Sequence, residues 1–272
     1  MPPQPWKSAW GTIDAAADPE PFIQTMELYR GGRGDDPAYY PFLSFLAARE
    51  GSRILDLGCG LGGATRVLAP RVGGSGRVIG LDNSRAMIAA ARKRTPGRTL
   101  PIDFAVGDAR ALPFADATFD GAFSVATFEL VGEPELALDE VIRVIRPEGK
   151  LVVNAADFGS WILDTADVAL TDRILRFARD RQTNGRIGRQ LQRLFVERGL
   201  VDVGLICHGA AFTDFEFYWQ IWLGPWVADA VQCAVITSAE AIAWHADLQD
   251  RAEAGLFLLA GVDFTVIGTK RD

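Results

Sequence analysis

The chain has 272 residues, 49% of them hydrophobic, 10% aromatic and 23% charged; this suits a globular protein with one substantial core and excludes a disordered, collagen-like or coiled-coil chain. Its 28 Lys and Arg against 35 Asp and Glu leave a net charge of −7. A nucleic-acid backbone or an anionic membrane surface would be repelled at long range, so a small molecule is the expected partner.

Cys59, Cys207 and Cys233 are odd in number and far apart, which fits neither a disulfide framework nor a zinc cluster and points to no metal site. The first residues lack a signal-peptide pattern, and no apolar run approaches the roughly 18 residues of a membrane span. A soluble, cytoplasmic protein is expected, and a homo-oligomer is left open.

In chain order, residues 19–49 read as two helices separated by the turn-rich run Gly31-Gly32-Arg33-Gly34-Asp35-Asp36-Pro37, a candidate N-terminal helical cover. From residue 51 short apolar runs alternate with amphipathic stretches, as in βαβ units. Strands are predicted at 53–57, 77–81, 102–106, 121–125 and 150–154, apolar enough for a parallel sheet covered on both faces. A helix carrying Leu138, Val141, Ile142 and Ile145 precedes the last of them and is stopped by Pro147 and Gly149. Helices follow at 167–182 and 187–198, then strands at 201–207 and 256–267. Between those strands lies an aromatic-rich insert, 208–255, ending in a helix that opens on the capping box Thr237-Ser238-Ala239-Glu240 and stops at Gly255. The chain reads as one domain over 1–272, with a cofactor-binding core at 50–155.

The densest signal is Ile54-Leu55-Asp56-Leu57-Gly58-Cys59-Gly60-Leu61-Gly62-Gly63, a strand, a glycine turn and a helix start. Glycines reach left-handed angles and let a ligand approach where a Cβ would stand. Gly58, Gly60 and Gly63 satisfy GxGxxG, which by itself also suits a dinucleotide. Asp82 ends the second strand, where a carboxylate can accept from both hydroxyls of a ribose. Asp56 and Asp108 add two acids at the same sheet edge, one suited to an ammonium and the other to an exocyclic adenine amine. Three acids facing one ligand favour a positively charged nucleoside over a nicotinamide dinucleotide.

With the runs Gly80-Leu81-Asp82-Asn83-Ser84-Arg85-Ala86-Met87, Gly107-Asp108-Ala109-Arg110-Ala111-Leu112-Pro113-Phe114, Phe119-Asp120 and Arg146-Pro147-Glu148-Gly149-Lys150 in order after the glycine loop, the chain resembles the class I S-adenosylmethionine-dependent methyltransferases, in particular the small-molecule branch akin to quinone-biosynthesis methyltransferases. The resemblance covers about residues 50–155. It implies an α/β, Rossmann-like, doubly wound seven-stranded sheet with the last strand antiparallel and a helical cover over the site. It implies S-adenosyl-L-methionine as cofactor, with Gly58, Gly60 and Gly62 along the methionine and ribose part and Asp56 at the ammonium end. Asp82 would take the ribose hydroxyls, Asn83 and Met87 would border the adenine, and Asp108 would accept from its amine beside Ala109. Ser84 is expected as a helix N-cap and Asp120 in a structural role. Glu148 departs from the second glycine that many relatives carry in that turn.

The expected activity is methyl transfer to oxygen, nitrogen or carbon of a small aromatic or apolar acceptor, with a place in secondary metabolism. Two rivals stay open, a cyclase or isomerase that keeps the cofactor as a passive element and a noncatalytic cofactor-binding subunit. His208, after the sixth strand, is the candidate base, whereas His245 shares an apolar helix face and is expected to pack. Tyr29, Glu129, Asp157 and Trp219 are the candidate acceptor contacts.

Overall fold

A computed structural model describes residues 13–29, 35–95 and 100–272, apart from the side chain of Tyr29. Its centre is a seven-stranded sheet of β1 (Arg53–Leu57), β2 (Arg77–Asp82), β3 (Ile102–Val106), β4 (Phe119–Val125), β5 (Ile145–Leu163), β6 (Val201–Phe212) and β7 (Leu259–Thr269), ordered β3-β2-β1-β4-β5-β7-β6. β7 runs antiparallel to both its neighbours, while the β1–β5 pairs are parallel. The chain builds outward from β1 through β2 and β3, then returns to β4 on the other side. The carboxyl ends of β1 and β4 are therefore the switch point where open α/β sheets bind ligands.

Helices α2 (Gly63–Val72), α3 (Arg85–Lys93), α4 (Pro134–Val144), α5 (Val168–Arg181) and α6 (Ile187–Glu197) follow α1 (Glu20–Tyr29). On one face of the sheet Leu138, Val141, Leu191, Leu194 and Phe195 pack on Leu55, Leu57, Leu151 and Val153, so central strands are apolar on both sides. On the other face Leu68 and Val72 join Ile54, Val78, Phe123 and Val152. The stretch expected as the second N-terminal helix belongs here as well. Residues 37–46 form two 3₁₀ turns, Pro37–Tyr39 and Pro41–Leu46, each opened by a proline, and Tyr40, Phe42, Leu43 and Leu46 are buried in this core cluster. They cover the sheet and not the ligand edge. The turn residues 30–34 lie outside the described residues.

The aromatic insert builds a core of its own. α7 (Phe215–Tyr218) passes through a π-helical stretch, Trp219–Leu223, into α8 (Gly224–Gln232), and α9 (Ser238–Glu253) follows with both halves of its capping box formed. Tyr218, Ile221, Trp226, Trp244 and Leu248 pack with Phe158, Ile174 and Leu259, joining the insert to α5 and the outer part of β5. That strand runs nine residues past its predicted end at Asn154. Between Asp157 and Ile162 its register on β7 shifts, and the bulge turns Phe158 and Trp161 toward the insert.

Two smaller expectations meet the structure directly. Ser84 caps α3, its hydroxyl accepting from the Met87 amide at 3.1 Å. Asp120 accepts from the Arg53 amide at 2.7 Å and from the Arg146 guanidinium at 2.6 Å, tying β1 to the start of β5. Glu148 sits at φ +63°, a left-handed angle that a glycine would adopt without strain. Among the described residues no helix is long and apolar enough to cross a membrane.

Candidate functional site

A cavity of about 560 Å³ runs along the carboxyl ends of β1, β2, β3 and β4, the second half of β5 and the amino end of the antiparallel β7. At one end the glycine loop is pinned by its own backbone, the Gly58 and Cys59 amides donating to the Leu81 carbonyl at 2.7 and 3.0 Å. Gly58, Gly60 and Gly62 have φ of +75°, +51° and +75°, and their needs differ. A Cβ on Gly58 would lie 2.1 Å from Thr127 Oγ1, and one on Gly62 would lie 2.7 Å from the Phe104 ring. A Cβ on Gly60 would meet only the Met26 methyl, at 3.4 Å. Packing demands the first and third glycines, whereas the second leaves open the space a ligand would take.

Asp82 faces that space. Its Oδ2 accepts from the Gly60 amide at 2.8 Å and its Oδ1 from the Ser84 amide at 2.9 Å, which leaves lone pairs for further donors. Burial raises its carboxyl above the usual range, against the pull of those amides. Asn83, Met87, Asp108 and Ala109 line the same end with Ile13 and Met26. Asp108 is already engaged: Arg110 grips it through Nε at 3.0 Å and Nη2 at 2.7 Å, and this holds the Asp108 carboxyl below its usual range. Over this end lie Ile13 and α1, clustered on Leu61 and Met87. Asp14 fixes them, accepting from the Ser84 hydroxyl and the Arg85 amide, both at 2.7 Å, at the N-terminus of α3.

The other end is aromatic. Phe158, Trp161, Phe212, Tyr218 and Trp222 line it, with Phe158 and Trp161 stacked at 5.3 Å and Trp161 edge-on to Trp222 at 5.9 Å. The Trp161 ring lies over Gly261, where a Cβ would come within 2.9 Å of it. Polar groups are few: Glu129, Asn154, Gln182, Thr183 and Asp263. Glu129 is 3% exposed; its Oε1 accepts from the Ala156 amide at 2.6 Å and its Oε2 has no partner. Burial pushes its carboxyl up to about 8. The Asp263 carboxyl is likewise raised by burial, with the charge of His208 opposing.

Residues 55–153 match the profile of a family described as a methyltransferase domain. Those residues are a methyltransferase domain. A demethylmenaquinone methyltransferase of Renibacterium salmoninarum is 40% identical over 131 residues, 48% of this chain and 52% of that protein. A 37.1 kDa protein encoded in a transposon of Streptomyces fradiae is 38% identical over 176 residues, 64% of this chain and 50% of its own. The chain thus spans about half the length of these relatives. A solved S-adenosylmethionine-dependent methyltransferase from Aquifex aeolicus shares the fold, with a TM-score of 0.56 at 17% identity over 94% of this chain and 100% of the other.

Within the methyltransferase domain the cavity brings together Gly58, Gly60, Asp82, Asn83, Met87, Asp108 and Ala109. Two expected contacts stand back from it. Asp56 is buried behind the loop, accepting from the Thr65 hydroxyl at 2.5 Å and so tying β1 to α2. Gly62 is the N-cap of α2, turned toward Phe104. Of the acceptor candidates Glu129 lines the cavity and three do not or cannot be placed. Asp157 is fully buried in an ion pair with Arg189 of α6, with Oδ1 2.7 Å from Nη2. Trp219 packs against Trp244 and His245 inside the insert, because the wide π turn separates it from Trp222. The Tyr29 side chain lies outside the described residues.

His208 is also displaced from its expected role. It does not line the cavity, although Phe212 of the same strand does; its Nε2 is 3.0 Å from Thr265 Oγ1, which in turn accepts from Asn154 Nδ2 at 3.1 Å. The cavity wall at that level is Asp263, its cross-strand partner. Sequence reading missed Ile13, Met26, Trp161, Gln182 and Asp263. Gly261 was the available signal, since a lone glycine inside a strand marks a close approach.

Proposed function

We propose that the protein transfers the methyl group of S-adenosylmethionine to a small aromatic or apolar acceptor, as a cytoplasmic enzyme of secondary metabolism. The observation that carries this reading is the continuity of the cavity, in which the glycine loop and Asp82 open onto the same space as the aromatic wall. The open space beside Gly60 and the acid at Asp82 fit the cofactor, which supplies an activated methyl when bound. In this reading the Gly58 to Gly60 backbone follows its methionine part, Asp82 takes the ribose hydroxyls, and Asn83, Met87, Ala109 and Asp108 border the adenine. For Asp108 to accept from the adenine amine it would use a lone pair that Arg110 leaves free.

The chain's own contribution is proximity, alignment and exclusion of water, which suffice for an in-line displacement at carbon. The aromatic wall would hold an acceptor by burial worth roughly 25 cal/mol per Å². Calorimetry with S-adenosylhomocysteine should show micromolar binding, and NADH should not compete. Mass spectrometry of products formed from an acceptor panel should show the added methyl. A product isomeric with its substrate would instead support the cyclase reading.

A further inference from the structure

The acceptor end carries two polar groups that protein folding has left unused. Glu129 Oε2 and Gln182 Nε2 are buried in side chains 3% and 5% exposed, and neither has a hydrogen-bond partner. Both residues line the cavity. A buried polar atom without a partner costs about 1–3 kcal/mol, so a built cavity that keeps two of them is shaped for a ligand that satisfies both. Their neighbourhood is tied together: the Asn184 amide donates to the Glu129 carbonyl at 3.0 Å, fastening the turn after α5 to the segment after β4.

The charge around them is one-sided. Asp82, Asp108, Glu129 and Asp263 line the cavity against a single cation among the described residues, Arg110, which is committed to Asp108 and Glu133 at the cofactor end. At the acceptor end two carboxyls face aromatic rings with no basic side chain among the described lining residues. An anionic acceptor would find no counter-charge among those lining residues and would hold both carboxyls in their protonated form. A cation would relieve the desolvated carboxyls and lie against ring faces that attract it.

We propose, building on the methyl-transfer reading above, that the acceptor is a small aromatic or apolar amine, held as its ammonium between Glu129, Asp263 and the aromatic wall, with the Gln182 carboxamide donating to an oxygen on the same molecule. For reaction the ammonium gives one proton to a carboxylate of this pair. The freed nitrogen lone pair forms the N–C bond to the methyl carbon while the C–S bond breaks, its electron pair staying on sulfur. The positive charge passes from sulfur to the methylated nitrogen, and S-adenosylhomocysteine remains.

The test uses the full chain saturated with S-adenosylhomocysteine and reads tryptophan fluorescence during titration with phenethylamine, 2-phenylethanol and phenylacetate. The amine is expected to bind at least about tenfold more tightly than the alcohol, and phenylacetate most weakly. Glu129→Gln, which keeps the acceptor for the Ala156 amide, should remove the amine advantage while leaving S-adenosylhomocysteine affinity unchanged. Asp263→Asn gives a second reading should that variant fail to fold. Absence of any amine preference in the wild-type chain, whether the three probes bind alike or none binds, overturns the proposal, as does a Glu129→Gln effect on S-adenosylhomocysteine instead of on the amine. Failure of S-adenosylhomocysteine to bind at all would overturn the methyl-transfer reading itself.

Discussion

The two ends of the cavity are built by different means. At the cofactor end the lining comes largely from short segments directly following β1, β2 and β3, and backbone amides hold Asp82 in place. At the acceptor end Glu129, Trp161, Gln182, Tyr218 and Asp263 come from five separated stretches that only the return of β7 beside β5 and the packing of the insert bring together. A local site is written in consecutive residues. An assembled one is written in topology, and its side chains answer to packing first.

The sharpest way to break this comparison is in the glycine loop. Gly60→Val should reduce S-adenosylhomocysteine affinity by more than about a hundredfold, since a branched side chain is strained at this φ by about 1–2 kcal/mol and would fill the ligand space. Circular dichroism should remain that of the folded chain. Gly62→Val should behave in the opposite way, losing about 1–3 kcal/mol of stability from overpacking against Phe104. If both variants lose binding without loss of stability, the distinction between a ligand glycine and a packing glycine fails.

Next in size is the contrast between two acids of similar sequence standing. Asp82→Ala should weaken S-adenosylhomocysteine binding by about 1.5–3 kcal/mol, the range for hydrogen bonds to a charged group. Asp56→Ala should lower the melting temperature with a much smaller effect on affinity, because its partner is the Thr65 hydroxyl within the fold. Calorimetry and thermal melting on the pair separate the roles, and equal losses of affinity would return Asp56 to the site.

These contrasts also mark what sequence could and could not convey. All seven strands were legible in place, because each contains a short apolar run near turn residues and the order of βαβ units leaves few topologies, but the lengths of β5, β6 and β7 were not. Asp82 and Asp108 were legible as lining residues because each sits at or just past a predicted strand end, and Asn83 and Met87 were legible only through the resemblance; all four line the cavity. Asp157 met the same criterion and is nonetheless an ion-pair partner of Arg189, since β5 does not end there. Its bulge, the π turn that parts Trp219 from Trp222, and the placement of His208 behind Asp263 all depend on contacts between distant segments. The N-terminal cover divides for the same reason, with α1 over the ligand edge and 37–46 in the core.

Glu129 links the acceptor end to pH. Its folded carboxyl titrates near 8 because of burial, against an ordinary value of 4.5, so between those values the folded chain binds a proton that the unfolded chain has released. Stability of the ligand-free protein should therefore fall as pH rises through this window, by about 2 kcal/mol between pH 6 and pH 8. Burial also raises the Asp263 carboxyl, against the charge of His208, so its contribution carries the same sign. Urea unfolding of wild type and Glu129→Gln at both pH values isolates the Glu129 share, since the variant should lose most of the slope. An unchanged slope would mean that Glu129 is ionised in the empty cavity.

The smallest expected effect concerns the cover of the cofactor end, where sequence gave no sign of a fastening. Asp14 accepts from the Ser84 hydroxyl and from the Arg85 and Ala86 amides, so it serves as a second cap on α3 supplied from outside the helix. Through it Ile13 is held against Met87 at the cavity wall. Asp14→Ala should cost about 1 kcal/mol, the scale of a lost N-cap, divided between stability and closure of the cover. Because the cap lies two residues beyond Asp82, closure and ribose binding should reinforce each other. The variant is expected to bind S-adenosylhomocysteine severalfold more weakly through a faster dissociation rate, with association little changed, as stopped-flow fluorescence would record. Asp14→Asn, which keeps an acceptor oxygen, should recover part of that loss. A variant that melts earlier yet dissociates at the wild-type rate would make Asp14 a cap of the helix alone and leave the cover without its fastening.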